Sequence, residues 1–188
     1  MLPSQAAIFA APVSAARSLG WWGDVYGFNY SALAPQILAA STSRNPQCDQ
    51  VVEAADLVGD RQCVASIDCS SVTAASLGCL RKQLHWQLQK GASVHGLALW
   101  FDCVFPAPAP AAGSNEPPRE IVLSTSPTAP KTHWHQTMIH FGADALAQGE
   151  AMQTDEKAAA AGQAAFDCTV ELKVDPAAPR SYRISVNC

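Results

Sequence analysis

The sequence lacks the short motifs that hold nucleotides, phosphates or catalytic nucleophiles. None of the patterns G-x-G-x-x-G, G-x-x-x-x-G-K-[ST] and G-x-S-x-G occurs among its 188 residues. The first two place backbone N–H groups against phosphates, and the third places a serine on a strained turn. We therefore expect any catalytic activity to be shared with residues outside this chain.

Charged residues are also scarce, at 15% of the sequence, whereas 48% of the residues are hydrophobic. The chain has only 12 lysines and arginines and a net charge of −4, which argues against direct binding of nucleic acid. A mildly acidic surface would favour a basic peptide instead. The low charge further indicates that some apolar surface faces a partner.

No apolar run approaches the ~18 residues that a membrane-spanning helix needs. Residues 2–16 resemble a secretory signal only weakly, because they have no basic start and Pro3 and Pro12 interrupt them. The seven cysteines are odd in number and form no C-x-x-C pair, which indicates reduced thiols. We expect an intracellular protein that is not bound to a membrane.

The distribution of apolar residues predicts one mainly β domain. Short runs with a period of two are separated by turns rich in Gly, Asp and Ser. In the run 94–105 one face carries mostly large apolar residues, which predicts one buried face. The pattern predicts an antiparallel β-barrel or β-sandwich, and closure into a barrel would remove the exposed edges. The expected extended segments are 5–13, 51–56, 63–67, 84–89 and 94–105, followed by a closing hairpin of 164–174 and 182–186 around a turn at 175–179.

Two segments interrupt the β pattern. Residues 14–46 contain a dense aromatic group and, at 31–40, a predicted short helix that Ser31 would cap. Residues 106–118 are rich in Pro and Ala and predict an exposed loop. The aromatic group consists of Trp21, Trp22, Tyr26, Phe28 and Tyr30.

The histidines cluster at residues 132–136, which read Thr-His-Trp-His-Gln. His133 and His135 would lie on one face of a strand, where they could ligate zinc. No Cys, Asp or Glu stands nearby at ligand spacing, so we expect a hydrogen-bonded structural role and no metal.

Three stretches of the sequence resemble the C-terminal β-barrel half of protein arginine N-methyltransferases. Residues 124–127 read STSP, and residues 130–137 are similar to the family's Thr-His-Trp loop. Residues 21–31, WWGDVYGFNYS, resemble the aromatic segment that begins the family's dimerisation arm. Residues 94–101, VHGLALWF, resemble a barrel strand of the isoform-six-like branch of type I enzymes. The three stretches follow the family order, and the similarity covers nearly the whole chain.

The resemblance implies that residues 1–188 form a C-terminal substrate-binding and dimerisation β-barrel domain. A short helical dimerisation arm at about residues 14–46 would be inserted near its N-terminus. No Rossmann-type methyltransferase domain is expected in this chain. Residues 1–6 resemble the point just after the family's second catalytic loop, so we expect the chain to start within a longer protein.

The resemblance also implies a mechanism. In this family two glutamates of the methyltransferase domain hold an arginine guanidinium, which attacks the methyl group of S-adenosylmethionine. Guanidinium stays charged and suits bidentate carboxylates. His133 would pair with a carboxylate of that domain, and Trp134 would pack beside the substrate arginine. The chain itself would bind no cofactor and would be inactive alone.

Partners follow from the same resemblance. Arginine-containing proteins, including histones, would be the substrates, and the full-length enzyme would be a homodimer in the nucleus or the cytoplasm. For the arm aromatics two interpretations stay open, a local core or docking on the partner's methyl-donor domain. His135 stands where the family has Lys, which puts peptide preference in doubt, and Asn29-Tyr30 stands where it has Asp-Met.

Two other functions remain open from the sequence. The chain could belong to a catalytically dead paralogue that acts as a regulatory partner subunit of such an enzyme. It could also be an unrelated ligand-binding β-barrel, which would leave the three matched stretches unexplained.

Overall fold

A computed structural model describes residues 1–14, 20–33, 36, 46–89, 92–107, 119–141 and 163–188. Most of these residues lie in strands, and short helical turns lie between the strands. The turns are Trp21–Gly23, Ser31–Leu33, Ala54–Asp56 and Ala74–Leu77. The strands are β1 (Gln5–Val13), β2 (Gln47–Gln50), β3 (Gln62–Asp68), β4 (Cys79–Gln89), β5 (Gly96–Phe105), β6 (Ile121–Ser124), β7 (Gln136–His140), β8 (Gln163–Asp175) and β9 (Ala178–Asn187).

The strands form two antiparallel sheets. The larger sheet has six strands in the order β2-β7-β5-β1-β3, with β6 also paired to β5, and the smaller sheet has the order β4-β8-β9. Within the described residues, the hydrogen-bonded ladders do not close into one ring. The predicted mainly β, antiparallel and barrel-like fold is confirmed.

The main core lies between the inward faces of the two sheets. β4 and β8 contribute alternate buried residues, among them Leu84, Trp86 and Phe166, and β5 contributes Leu97 and Leu99. The Trp86 and Phe166 rings stack with their centroids 5.6 Å apart. Each fully buried large side chain contributes roughly 1.5–3 kcal/mol, so the period-two pattern of these strands stabilises the fold directly.

β5 is buried on both faces, and the prediction of a single buried face was wrong. Leu97 and Leu99 face the main core, whereas Ala98 and Trp100 belong to a second buried cluster with Val52. The second face is covered because residues 51–57 pass over it, and Leu57 also packs there. A central strand covered on both sides carries apolar residues at successive positions, as residues 96–100 do.

The predicted strand at 51–56 was also wrong. The strand β2 ends at Gln50, and Ala54–Asp56 form a turn of 3-10 helix. The Asp56 carboxylate accepts a hydrogen bond from the Glu53 N–H at 3.1 Å, which offers the backbone a local partner in place of a strand. The segment therefore bends, and Val52 becomes buried by packing rather than by strand alternation.

The other predicted strands lie within observed ones. Residues 5–13 form β1, 63–67 lie within β3, and 84–89 are the end of the longer β4. The closing hairpin is confirmed as β8 and β9, which pair from Thr169–Asn187 to Asp175–Ala178. No helix in the described ranges has the length and apolar character required to cross a membrane.

Two predicted segments lie largely outside the described residues. Of the helix expected at 31–40, the structure describes Ser31–Leu33, a 3-10 turn, and residue 36. Of the exposed loop expected at 106–118, it describes residues 106 and 107.

Candidate functional site

The candidate site is a loop that leaves one edge of β5 and returns to it. β6 pairs with β5 from Asp102 to Phe105, and β7 pairs with β5 from Gly96 to Leu99. Both strands therefore occupy the same edge of β5, one after the other. The intervening residues 125–135 have no ladder of their own and include the Thr-His-Trp loop, defined here as residues 132–135.

The base of this loop is fixed by Thr125 and Gln136. The buried Thr125 hydroxyl donates to the Phe101 carbonyl at 2.9 Å and accepts from the Phe101 N–H at 3.0 Å. The Gln136 amide donates to the Thr125 carbonyl at 2.8 Å, and its oxygen accepts from the Val52 N–H at 2.9 Å. Residues 125–135 form no strand ladder, and these side-chain hydrogen bonds pair backbone groups of Phe101, Thr125 and Val52 instead.

Two ion pairs hold the sides of the loop. Lys131 Nζ lies 2.7 Å from Glu53 Oε1, and His135 Nδ1 lies 2.7 Å from Asp49 Oδ1. Asp49 and His135 both adopt left-handed backbone conformations, with φ of 62° and 48°. The β2–β7 register shifts at this point, so a bulge directs Asp49 toward His135. Because these pairs are partly exposed, each contributes at most about 1 kcal/mol.

The tip of the loop presents His133 and Trp134. Both side chains are exposed, and 48% of the Trp134 surface is accessible. Their ring centroids lie 4.0 Å apart, and the Trp134 ring meets Phe101 edge-on at 6.0 Å. Among the described residues, none forms a hydrogen bond with the His133 ring. The loop therefore offers an imidazole and an indole face to a partner or a ligand.

The expectation that His133 and His135 share one face of a strand was wrong. Both precede β7, and His133 and Trp134 form a turn. The left-handed conformation of His135 breaks the strand geometry and turns its ring to Asp49. The parts of the chain that the structure describes contain no cluster of three His, Cys, Asp or Glu side chains suited to a metal ion.

Sequence reasoning missed Gln136, Asp49 and Glu53 as parts of the site. Gln136 was quoted in the motif but received no role, although it joins the loop to Val52. Contacts between residues 78 to 86 positions apart leave no local signal in a single sequence. The only hint was the position of Gln136 directly after the histidine cluster.

A pair of partly buried histidines lies at the other end of β7. His95 precedes β5, and His140 ends β7 opposite Gly96. The Ser14 hydroxyl lies 3.4 Å from His95 Nδ1. Burial lowers the pKa of both rings below the ordinary 6.5, and the neighbouring His95 lowers the pKa of His140 further. Both therefore favour the neutral form.

The aromatic group of the predicted arm forms a compact turn. Val25 and Phe28 exchange two backbone hydrogen bonds, of 2.9 and 3.1 Å. Tyr26 and Gly27, between them, both have positive φ, of 55° and 85°, as two-residue hairpin turns require. The Tyr30 N–H donates to the Trp22 carbonyl at 2.7 Å and closes the loop.

This turn displays its rings to solvent. The exposed fraction is 97% for Tyr26, 66% for Phe28 and 57% for Trp21. Trp22 is half-buried and meets Trp21 edge-on, and 41% of Tyr30 is exposed. So many exposed aromatic rings favour contact with a partner over a local core.

Comparison with known proteins places this geometry in a family. Residues 4–186 match the family model described as the arginine methyltransferase oligomerization subdomain. A probable protein arginine N-methyltransferase 6.1 of Oryza sativa subsp. indica is 30% identical over 164 residues, which cover 75% of this chain and 42% of that protein. The chain thus spans less than half the length of this relative.

Solved structures agree on the fold. A crystal structure of PRMT6 with SAH superposes with a TM-score of 0.71 at 21% identity, covering all of this chain and 55% of that one. The Trypanosoma brucei PRMT1 enzyme–prozyme heterotetrameric complex with AdoHcy gives 0.56 at 21% identity, covering 99% of this chain and 51% of that one. The chain belongs to the protein arginine methyltransferase family and corresponds to its C-terminal, barrel-like oligomerization subdomain.

Proposed function

We propose that this chain is the substrate-facing and dimerisation part of a type I protein arginine N-methyltransferase. The full-length protein would transfer methyl groups from S-adenosylmethionine to arginine side chains of proteins. The observation that carries the proposal is the braced Thr-His-Trp loop, which holds an exposed imidazole and indole together at its tip. Family membership supplies the reaction class.

The methyl donor would bind to a part of the protein outside this chain. Every strand pair in the described residues is antiparallel, and the sequence has no glycine-rich nucleotide loop. Dinucleotide and nucleotide sites of this type normally need parallel strands that lead into helix N-termini. Since the described residues do not fit the donor, we propose that the chain is inactive by itself.

The loop tip suits a guanidinium substrate. A cation over an indole face gains roughly 0.5–2 kcal/mol, so Trp134 can position an arginine side chain. His133 has ring nitrogens that can pair with a carboxylate of the donor domain and can accept a proton. The bracing by Gln136 and by the Lys131 and His135 ion pairs holds both rings in place before substrate arrives.

Partner and substrate classes follow from surface chemistry. The net charge of −4 favours basic, arginine-rich proteins, of which histones are one class. The exposed ring group of Trp21, Tyr26 and Phe28 suits an apolar partner surface, and we propose that it forms the arm of a homodimer. We further propose that the protein works in the nucleus or the cytoplasm, where seven reduced thiols are stable.

We keep a regulatory subunit as the second candidate function because one structural neighbour is an enzyme–prozyme complex. The full-length protein would then be a catalytically dead regulatory subunit of an arginine methyltransferase. The arm would keep its role in assembly, whereas His133 would have no substrate to act on.

The test is methyl transfer by the full-length protein to an arginine-rich peptide, with labelled S-adenosylmethionine. We expect His133→Ala to lower the rate by about 10²-fold or more, the range for loss of a positioned acid–base group. His85→Ala is the matched control, because His85 is also an exposed histidine but lies on β4, away from the loop, where it pairs with Asp167 at 2.6 Å. We expect the control to keep the parent rate.

The outcomes separate the candidates. Equal rates for His133→Ala and the parent would contradict the role proposed for His133. A parent that transfers no methyl group but raises the activity of a related enzyme would support the regulatory subunit.

A further inference from the structure

We propose that Cys168 and Cys188 form a reversible disulfide that fastens the end of β9 to β8. The proposal rests on the register of the closing hairpin and on the placement of the two thiols, and it does not depend on the methyl-transfer reaction. Both cysteines are reduced thiols in the structure.

The register places the two cysteines directly opposite each other. In the β8–β9 ladder Thr169 pairs with Asn187, and one further step in an antiparallel pair brings Cys168 opposite Cys188. Opposed residues in antiparallel strands have Cα atoms about 4.5–5.5 Å apart. This separation lies within the 4.4–6.8 Å range that disulfides span, so no large backbone movement is needed.

The side chains also share one face. Phe166, Cys168 and Val170 are buried on β8, and Ile184 and Val186 of β9 pack against the same core. Cys188 continues the alternation of β9 by one more step. The Cys188 thiol is hydrogen-bonded to Cys168, and this bond, together with burial, raises the pKa of the Cys168 thiol.

The two thiols differ in access, which fixes the order of the reaction. Cys188 is exposed, whereas Cys168 is 3% exposed. A small disulfide such as oxidised glutathione would react first with the Cys188 thiolate, forming a mixed disulfide and releasing one glutathione thiolate. Cys168 would then lose its proton and attack Cys188 Sγ, releasing the second. Two protein thiols are oxidised, and one glutathione disulfide is reduced to two thiols.

The consequence is a hairpin closed at both ends. β9 pairs only with β8 in the described sheet, and the ladder's last pair is Thr169–Asn187, so the turn at 175–178 is the one covalent connection between the two strands. A covalent link at Cys188 restrains the unfolded chain and prevents fraying of the far end. Oxidation would therefore stabilise the three-stranded sheet.

The experiment uses the full-length protein, incubated with oxidised glutathione and analysed by non-reducing peptide mass spectrometry and thermal unfolding. We expect a peptide pair linked through Cys168 and Cys188 and a rise of roughly 5–10 °C in the unfolding midpoint, reversed by dithiothreitol. Cys188→Ser should abolish both effects. Cys63→Ser, which removes another exposed thiol on β3, should retain both.

Other results would overturn the proposal. One is that mass spectrometry finds Cys188 only as a glutathione adduct or bonded to a different cysteine. The other is that oxidised glutathione raises the unfolding midpoint of Cys188→Ser as much as that of the parent.

Discussion

Gly96 occupies a position in which even one added carbon meets the neighbouring strand. It begins β5 and pairs with His140 of β7. A Cβ at this position would overlap the carbonyl oxygen of Ile139 and lie 3.2 Å from its carbonyl carbon. Backbone atoms inside a ladder cannot move aside without breaking hydrogen bonds. The tight β5–β7 approach at the end of β7 opposite the candidate site therefore depends on glycine.

We expect Gly96→Ala to lower the free energy of unfolding by about 2–3 kcal/mol, the cost of overpacking a closed site. Gly23→Ala is the matched control, since no atom lies within 4 Å of its added carbon, and should change stability by less than about 0.5 kcal/mol. Urea unfolding of the two variants measures the difference. Equal stabilities would show that β7 does not pack against β5 as described.

We expect the histidine pair His95 and His140 to make the stability of the protein depend on pH. Because burial lowers the pKa of His95 and His140 in the folded state, the unfolded chain binds more protons below the ordinary pKa of 6.5. Above pH 6.5 both rings are neutral in the folded and the unfolded chain, so their ionisation does not lower the free energy of unfolding. As the pH falls through the folded-state pKa values, the charged rings oppose burial and stability is lost.

We expect His140→Phe to reduce this loss of stability, because it removes one of the two titrating rings and the repulsion between them. The measurement is the free energy of unfolding at several pH values between about 5 and 8. His133→Gln, which replaces an exposed histidine, should keep the parent slope. A slope unaltered by His140→Phe would assign the acid sensitivity to other groups.

At the scale of elements, the closing hairpin was predictable because its apolar residues alternate with polar ones from Phe166 to Val174, and β1 was predictable as a continuous apolar run. The segment 51–56 was not, because its apolar residues are interrupted by Glu53 and Asp56, and the Asp56 side chain bonds to the Glu53 backbone and starts a turn. The double burial of β5 depends on coverage by that same segment, which only the tertiary structure shows. His133 and Trp134 were identified through a family resemblance, whereas the turn that presents them was not.

The arm is an element whose exposed rings predict an effect on assembly rather than on folding. We expect the double change Tyr26→Ser and Phe28→Ser to weaken self-association of the full-length protein by about tenfold or more, because buried aromatics dominate interfaces. Its thermal midpoint at low concentration should hardly change. Sedimentation of the variant at several concentrations provides the dissociation constant.

The control for the arm is Val72→Ser, which removes another exposed apolar side chain before the Ala74–Leu77 helix. It should leave the dissociation constant at the parent value. If the arm variant self-associates as strongly as this control, the exposed rings serve another partner.

At the scale of the whole molecule, the two sheets act as a scaffold. They carry the braced loop and the arm, which we propose present side chains to the substrate and to a second copy of the protein. The Thr-His-Trp loop holds the rings of His133 and Trp134 in contact with each other, and Trp134 also meets Phe101. The chain spans less than half the length of the rice relative, and our proposal assigns methyl-donor binding to a part of the protein outside this chain. We propose that this chain positions the substrate and mediates assembly, and that methyl transfer requires the chain together with the donor domain.

The most direct measurement compares methyl transfer from labelled S-adenosylmethionine to an arginine-rich peptide by residues 1–188 alone and by the full-length protein. Our account predicts transfer by the full-length protein and none by residues 1–188. Methyl transfer by residues 1–188 alone would contradict it, because the donor site would then lie within this chain.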